Sequence, residues 1–202
     1  MNPPAGTDST RERIVAAATA EFSRHGIAGA RIERIAKAAK TSKERVYAYF
    51  SSKEALYRHV YAQELSAVAE ATRLDPADLP AYAGRIHDYF TAHPERFRLM
   101  SWGRLELAAD GSRSHEMDPI RETVDRKIDQ LGKAQKAGRL DPHWDPLDVL
   151  ILLNQIATAW VVQPDLVPAV GEQGRDAFLA ARREAVVTAV RRLFPAAADV
   201  EG

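Results

Sequence analysis

The densest run of side chains able to do chemistry lies between Ile35 and Glu54, IAKAAKTSKERVYAYFSSKE. Lys43 and Arg45 can bind phosphate or the acceptor edge of guanine. Glu44 can accept a cytosine amino group, and the hydroxyls of Tyr47 and Tyr49 can donate to phosphate. Thr41 and Ser42 precede them, where a helix start needs side-chain oxygens for its free N–H groups. On a helical wheel with Val46 and Phe50 turned inward, Glu44, Arg45, Tyr47 and Ala48 point outward. Ser42 and Lys43 then sit at the exposed N-terminal end. Glu44 has a competing role as a cap folded back on Thr41, and Tyr49 has one as half-buried packing. This is chemistry for reading DNA, not for breaking bonds.

The positioning elements follow from periodicity. Ile32, Ile35, Ala36 and Ala39 give one short helix an apolar stripe, and Val46 and Phe50 give one to the next. Two short helices joined by a tight turn form a helix-turn-helix, whose second helix enters a major groove. A longer helix precedes them, with Ile14, Ala18 and Phe22 on one face, a possible capping box at Ser9 and Glu12, and a stop at Gly26. The predicted spans are about 9–25, 31–39 and 42–49. A fourth helix starts at Ser51 or Ser52, with Ser51 and Glu54 spaced as a capping box, and runs toward Leu74. Asp75-Pro76 and Leu79-Pro80 interrupt the pattern there. Further helices are predicted at about 82–92, 95–108, 119–137, 146–162 and 175–194. Pro94, Pro119 and Pro146 fall at first-turn positions, and Gly138 closes one helix. The fold class is therefore all-α with about nine helices. A DNA-binding domain spans 1–52, and a helical ligand-binding and dimerisation domain spans 53–202.

Charge supports the division. The chain is neutral overall, yet the stretch from Met1 to Gln63 holds eleven Lys/Arg against six Asp/Glu, which leaves the remainder equally acidic. There is no cysteine, so thiolate metal sites and disulfides are excluded. No apolar run approaches a membrane span, and the N-terminus lacks the basic and apolar blocks of a secretory signal. A cytoplasmic protein with no membrane association, no metal and no cofactor is the expectation.

Catalytic arrangements are weak. Glu21 and His25 are spaced i, i+4, and His115-Glu116-Met117-Asp118 clusters donors. No H-E-x-x-H, phosphate-cradling glycine loop or nucleophile–base pair is present. Glu21 and His25 read as the polar face of the first helix. A helical enzyme, or an adaptor binding acidic protein, is the competing class.

The second half is less specific. The segment 146–162 is apolar on more than one face and 175–194 carries an apolar face opposite arginines, so both need several partners. Leu150, Ile151, Ala157, Val161, Phe178, Ala185, Val186 and Ala189 are candidates for pairing with a second copy in a four-helix bundle. Closing the monomer's own core is the alternative. Phe97, Met100, Trp102 and Trp160, with Asn154, are candidate walls of an effector cavity, though aromatics at helical spacing usually belong to a core. Asn154 and Gln155 are polar in an apolar helix, so one should face a pocket, a partner or a local hydrogen bond. His87, Arg104 and Glu106 could orient a ligand or lie on a solvated face.

With these residues laid out, the first ~55 positions resemble the DNA-binding domain of the tetracycline-repressor (TetR) family. The shared elements are Phe22-Ser23-Arg24-His25-Gly26, Ile35-Ala36-Lys37-Ala38-Ala39, Ser42, Tyr47 to Phe50, and Ser52-Lys53-Glu54. The resemblance implies an all-helical homodimer with a divergent ligand domain. It implies a repressor released from a palindromic double-stranded operator by a small-molecule effector, for which the aromatic second half suggests an apolar or amphipathic compound. A ligand-independent regulator and an activator remain alternatives. Lys53 matches the family's phosphate-clamping lysine. Two departures stand out. Lys40-Thr41 replaces the usual Gly-Val of the turn, placing lysine where a positive φ is expected. Ala30 and Arg31 replace the usual threonine before the second helix, which weakens that cap and leaves Arg31 to hold phosphate by charge.

Overall fold

Periodicity, proline placement and caps together dictate a chain of helices, and the computed structural model, which describes residues 5–109, 119–163 and 172–195, bears this out. Among the described residues there are nine helices and no strand: α1 (Ala5–Gly29), α2 (Ile32–Ala38), α3 (Lys43–Tyr49), α4 (Lys53–Ala71), α5 (Leu79–Ala92), α6 (Pro94–Ala109), α7 (Pro119–Lys136), α8 (Pro146–Val162) and α9 (Glu172–Leu193). They sort into two compact units, Met1–Ser66 with Pro94–Glu116, and Ala67–His93 with Met117–Gly202. Most of α4 and all of α6 thus fold with the reader helices, whereas the sequence suggested a division after residue 52.

The first unit is built on α1. Ile14, Ala18 and Phe22 are completely buried, as the i, i+4, i+8 spacing requires. Around them lie Ile35, Ala36 and Ala39 of α2, Val46 of α3, Leu56, Tyr57 and Val60 of α4, and Leu99 of α6. Phe22 meets the Tyr57 ring edge-on at 5.1 Å, and the Tyr57 hydroxyl donates to the Leu99 carbonyl at 2.6 Å. In the second unit, α5 packs on α8 and α9 through Leu79, Tyr82, Ala83 and Ile86, against Val149, Leu150, Leu153, Ala157, Val186 and Val190. Gly84 allows the close approach: a Cβ there would lie 3.3 Å from Val187. Leu150, Ala157 and Val186, expected to face a second copy, are therefore this chain's own core. The large apolar residues left outward on α8 are Leu147, Ile151 and Val162.

Several helix ends differ from the sequence expectation. Gly26, at φ 66°, does break α1 where the sequence placed its stop, but a separate turn follows it to Gly29. Helix α1 already runs from Ala5, so Ser9 is not a cap and its hydroxyl accepts from Arg13 at 3.2 Å. For α4 the cap is Ser52, accepting from Ala55 N–H at 3.0 Å. Pro80 does not interrupt a helix. It sits in the first turn of α5, behind the cap Asp78, whose carboxylate accepts from Ala81 N–H at 2.9 Å. A proline in that turn loses no intrahelical hydrogen bond.

The α2–α3 turn has the positive-φ residue that the sequence led us to expect. Lys40 is at φ 52°, the one non-glycine residue with positive φ among the described residues. Its N–H donates to Lys37 and that of Thr41 to Ala36, the paired bonds of a Schellman ending. The same motif closes α7 with Gly138 at φ 68°. A side chain in this region costs about 1 kcal/mol relative to glycine, part of which is returned by lysine's lower freedom when unfolded. Lys40→Gly is therefore expected to raise stability by roughly 0.5–1 kcal/mol in urea unfolding.

Candidate nucleic-acid interface

Helix α3 is seven residues long and keeps a single buried side chain, Val46. Phe50, just beyond it, is buried too. With these two positions anchored, the rest of the helix must face out. Ser42, Lys43, Glu44, Arg45, Tyr47 and Ala48 are all exposed, while Tyr49 and Thr41 are half-buried. Ser42 caps the helix, its hydroxyl oxygen accepting from Arg45 N–H at 3.2 Å. The outward set named from the sequence is thus presented together on one short rigid element.

Each charged group there has a local partner. The Lys43 ammonium is bonded to Glu33 of α2 at 2.5 Å. The pair raises the lysine pKa and lowers the carboxylate's, in each case chiefly through that hydrogen bond. Arg45 lies over the Tyr49 ring, 5.5 Å from its centre, which holds the guanidinium extended beside the helix. Glu44 does not reach back to Thr41. Its carboxylate bonds its own backbone N–H and the Ser42 hydroxyl, which lowers its pKa. It acts on the start of its own helix, as a carboxylate at a helix N-terminus should. Tyr47 is the exposed aromatic of the set, at 43 %.

The connector between α1 and α2 is held almost entirely by side chains. Arg31 is the N-cap residue of α2 and supplies no side-chain bond, so the cap is as weak as the missing threonine suggested. Its N–H donates instead to Glu21 of α1 at 3.0 Å. Glu21 also receives Arg34, which in turn donates to the Gly29 carbonyl at 2.9 Å. Glu106 of α6 accepts from Ile27 and Ala28 N–H at 3.0 and 2.7 Å, restarting the helix after the Gly26 break. Lys53 was expected to clamp phosphate. Its ammonium instead donates to the Ala28 and Ala30 carbonyls, both at 3.3 Å, which leaves one of its three donors over. Arg13 caps the far end of α2 by donating to the Ala39 carbonyl at 3.1 Å.

Sequence reasoning missed the roles of Glu21, Glu106 and Arg13 because each bonds a backbone group ten or more residues away in the chain. Both carboxylate oxygens of Glu106 accept from backbone N–H groups. The other ligand candidates do not fall in one unit. Phe97, Met100 and Trp102 belong to α6 in the first unit, Trp102 against Gly26. Asn154 and Trp160 belong to α8 in the second. The Asn154 amide donates to the Leu150 carbonyl one turn back at 2.7 Å, and Trp160 stacks under the Arg182 guanidinium at 4.6 Å. The His115–Asp118 cluster lies outside the described residues. Among the described residues no group of three metal-ligating side chains is present, and no helix is long and apolar enough to cross a membrane.

Burial alone would raise the Glu21 carboxyl, but the bonds from Arg34 and the Arg31 N–H outweigh it, and the net pKa is lowered. A lowered folded-state value adds stability above the unfolded carboxylate's 4.5 that is lost as pH falls through the folded value. Glu21→Gln should therefore cost about 1–2 kcal/mol at neutral pH. In thermal melts the gap to wild type should narrow progressively below pH 4.5.

Comparison with known proteins agrees with this geometry. Residues 14–60 match the family described as "Bacterial regulatory proteins, tetR family", and residues 78–192 match "Tetracyclin repressor-like, C-terminal domain". The chain is 35 % identical over 186 residues to the HTH-type transcriptional repressor SCO4008 of Streptomyces coelicolor, covering 92 % of this chain and 95 % of that one. It is 31 % identical over 157 residues to the HTH-type transcriptional regulator RutR of Escherichia coli K12, covering 71 % and 69 %. A solved structure of the putative transcriptional regulator SCO4942 from Streptomyces coelicolor superposes with a TM-score of 0.81 at 57 % identity, covering 92 % and 98 %. A short capped helix that buries one face and aims its basic, aromatic face outward therefore has its place in a known design, and the chain belongs to the TetR family of DNA-binding transcriptional regulators.

Proposed function

We propose that this chain is a homodimeric repressor that reads a palindromic operator through α3 and leaves it when a small molecule binds. The observation that carries the reading is the presentation of α3. Val46 and Phe50 are locked inside, so Lys43, Arg45, Tyr47 and Ala48 have no role in the core and are offered to a groove. Lys43 and Arg45 take bases or phosphates, Tyr47 and Tyr49 donate to phosphate, and Arg31 adds charge beside the second helix. Repression follows the printed function of SCO4008, whose similarity spans nearly the whole chain.

Dimerisation is supported by Leu147, Ile151 and Val162, three apolar side chains left outward on α8. Ala185 and Ala189 are exposed on α9, and Val161 and Phe178 are half-buried. A second copy of the same two helices would cover them in a two-fold bundle. Two α3 helices related by that axis require half-sites about one DNA turn or slightly more apart. An effector then acts by favouring a dimer whose recognition helices no longer match that spacing. Such coupling is typically ~1–3 kcal/mol and reciprocal.

The test is selection of bound duplexes from random DNA by the purified protein at stated salt. A two-fold sequence is expected; unrelated single sites would refute the dimeric reader. On the selected operator, Tyr47→Ala and Lys43→Ala should each sharply weaken binding while leaving the dimer intact in analytical ultracentrifugation. Glu33→Gln should act the other way. Freeing Lys43 from its intramolecular carboxylate should tighten binding several-fold in fluorescence anisotropy at low salt, and the gain should shrink as salt is raised.

A further inference from the structure

The inward face of α7 is mostly apolar, with Thr123, Lys127 and Gln135 its half-buried polar positions. Val124 and Ile128 are half-buried and Leu131 and Ala134 completely buried, and Lys127 stands in their row. Its ammonium donates to the hydroxyl of Tyr82 on α5 at 2.8 Å and lies 5.2 Å from the centre of that ring. Tyr82 is itself completely buried. The two nearest acids of α7 are turned outward and engaged elsewhere, Asp125 with Arg121 and Asp129 with Lys133. Among the described residues no carboxylate is paired with Lys127.

Three other polar groups inside this unit are satisfied internally, while the buried Arg182 Nε has no hydrogen-bond partner and lies against the Trp160 and Phe178 rings. His87 bonds the Ala157 carbonyl, Thr158 donates to the Asn154 carbonyl at 2.7 Å, and Asn154 donates to Leu150. Lys127 and Tyr82 are bonded to each other. Tyr82 oxygen takes one of three ammonium protons, and the tyrosine's own O–H has no acceptor among the described residues. Burial pushes the Lys127 pKa down to about 8 from 10.5, with the positive charge of Arg126 adding to the shift. The amine is still a cation at neutral pH. A cation in an apolar row with no counter-charge is worse for folding than a methionine of the same size. A stability role does not account for it.

What the pair lacks is an acceptor with two oxygens and a negative charge. We propose that Lys127 and Tyr82 together recognise the carboxylate of a small organic acid with an apolar body, and that this is the chemical class of the effector. The ammonium supplies the charge and one donor, the Tyr82 hydroxyl supplies a second, and the row of Val124, Ile128 and Leu131 accepts the apolar part. The word effector rests on the regulatory reading above; the carboxylate site does not.

The experiment is a thermal-shift and calorimetric comparison on the full chain without DNA. The probes are hexanoate, octanoate, benzoate and phenylacetate at millimolar concentration, each against its primary amide. Stabilisation by at least one acid and not by its amide is expected. Lys127→Met should reduce that acid's affinity about tenfold or more, and Tyr82→Phe should reduce it less, while unliganded Lys127→Met melts at or above the wild-type temperature. No acid binding, equal binding of acid and amide, or undiminished acid binding by Lys127→Met would overturn the proposal. Anisotropy on the selected operator separates the two readings. Lys127-dependent acid binding that leaves DNA affinity unchanged upholds the site and refutes release by an effector.

Discussion

The first unit depends on one hydrogen bond made inside an apolar core. Tyr57 is completely buried, and an unmade hydroxyl bond there would cost about 1–3 kcal/mol. Its O–H reaches the Leu99 carbonyl, which fixes how far α4 stands from α6. Gly103 makes the distance possible, since a Cβ at that position would lie 2.6 Å from the Tyr57 hydroxyl and 2.8 Å from the Tyr61 ring. The same ring receives Phe22 edge-on. One side chain therefore ties together α1, α4 and α6, and every reader residue hangs from that frame. Burial also raises the phenol's pKa above its ordinary value, which favours the protonated, donating hydroxyl.

From this frame the connector at 26–31 inherits its shape. It is too short to make its own secondary structure, so its backbone groups turn to Glu106, Lys53, Arg34 and Glu21. These side chains come from four different helices, three of them outside the helix-turn-helix proper. A displacement of α6 would pull on Ile27 and Ala28 directly, and through them on the start of α2. That makes Glu106 the shortest physical route by which α6 bears on the DNA-reading helices.

Two features show local stability yielding to another demand. Lys40 holds a left-handed turn that glycine would hold more easily, and it places one more cation between α2 and α3. Lys43 is paired with Glu33, so any phosphate it contacts must compete with a carboxylate already in place. Such competition weakens binding to all DNA equally, which lowers non-specific affinity without touching what Arg45 and Tyr47 can read. The half-buried Lys127 is the counterpart in the second unit, a charge kept where an apolar residue would fold better.

The sequence by itself determined the elements and the outward face of α3. Helical period, proline at first turns and the oxygen of Ser42 are local signals, and local hydrogen bonding decides them. Even the positive φ at Lys40 was legible, through the glycine that the family it resembles carries at that place in the turn. What only the tertiary structure decided was which helices share a core and what the polar side chains bind. Glu106 read as a surface or ligand group because its partners, the N–H groups of Ile27 and Ala28, lie more than seventy residues away in the chain. Leu150, Ala157 and Val186 fitted an interface and a core equally well, since a helix apolar on several faces does not say which face meets which neighbour. Lys53 matched a phosphate-binding position, yet two carbonyls left open by the connector claim its ammonium first. Patterns of period and charge fix what a residue can do, and packing fixes which of those things remain available to it.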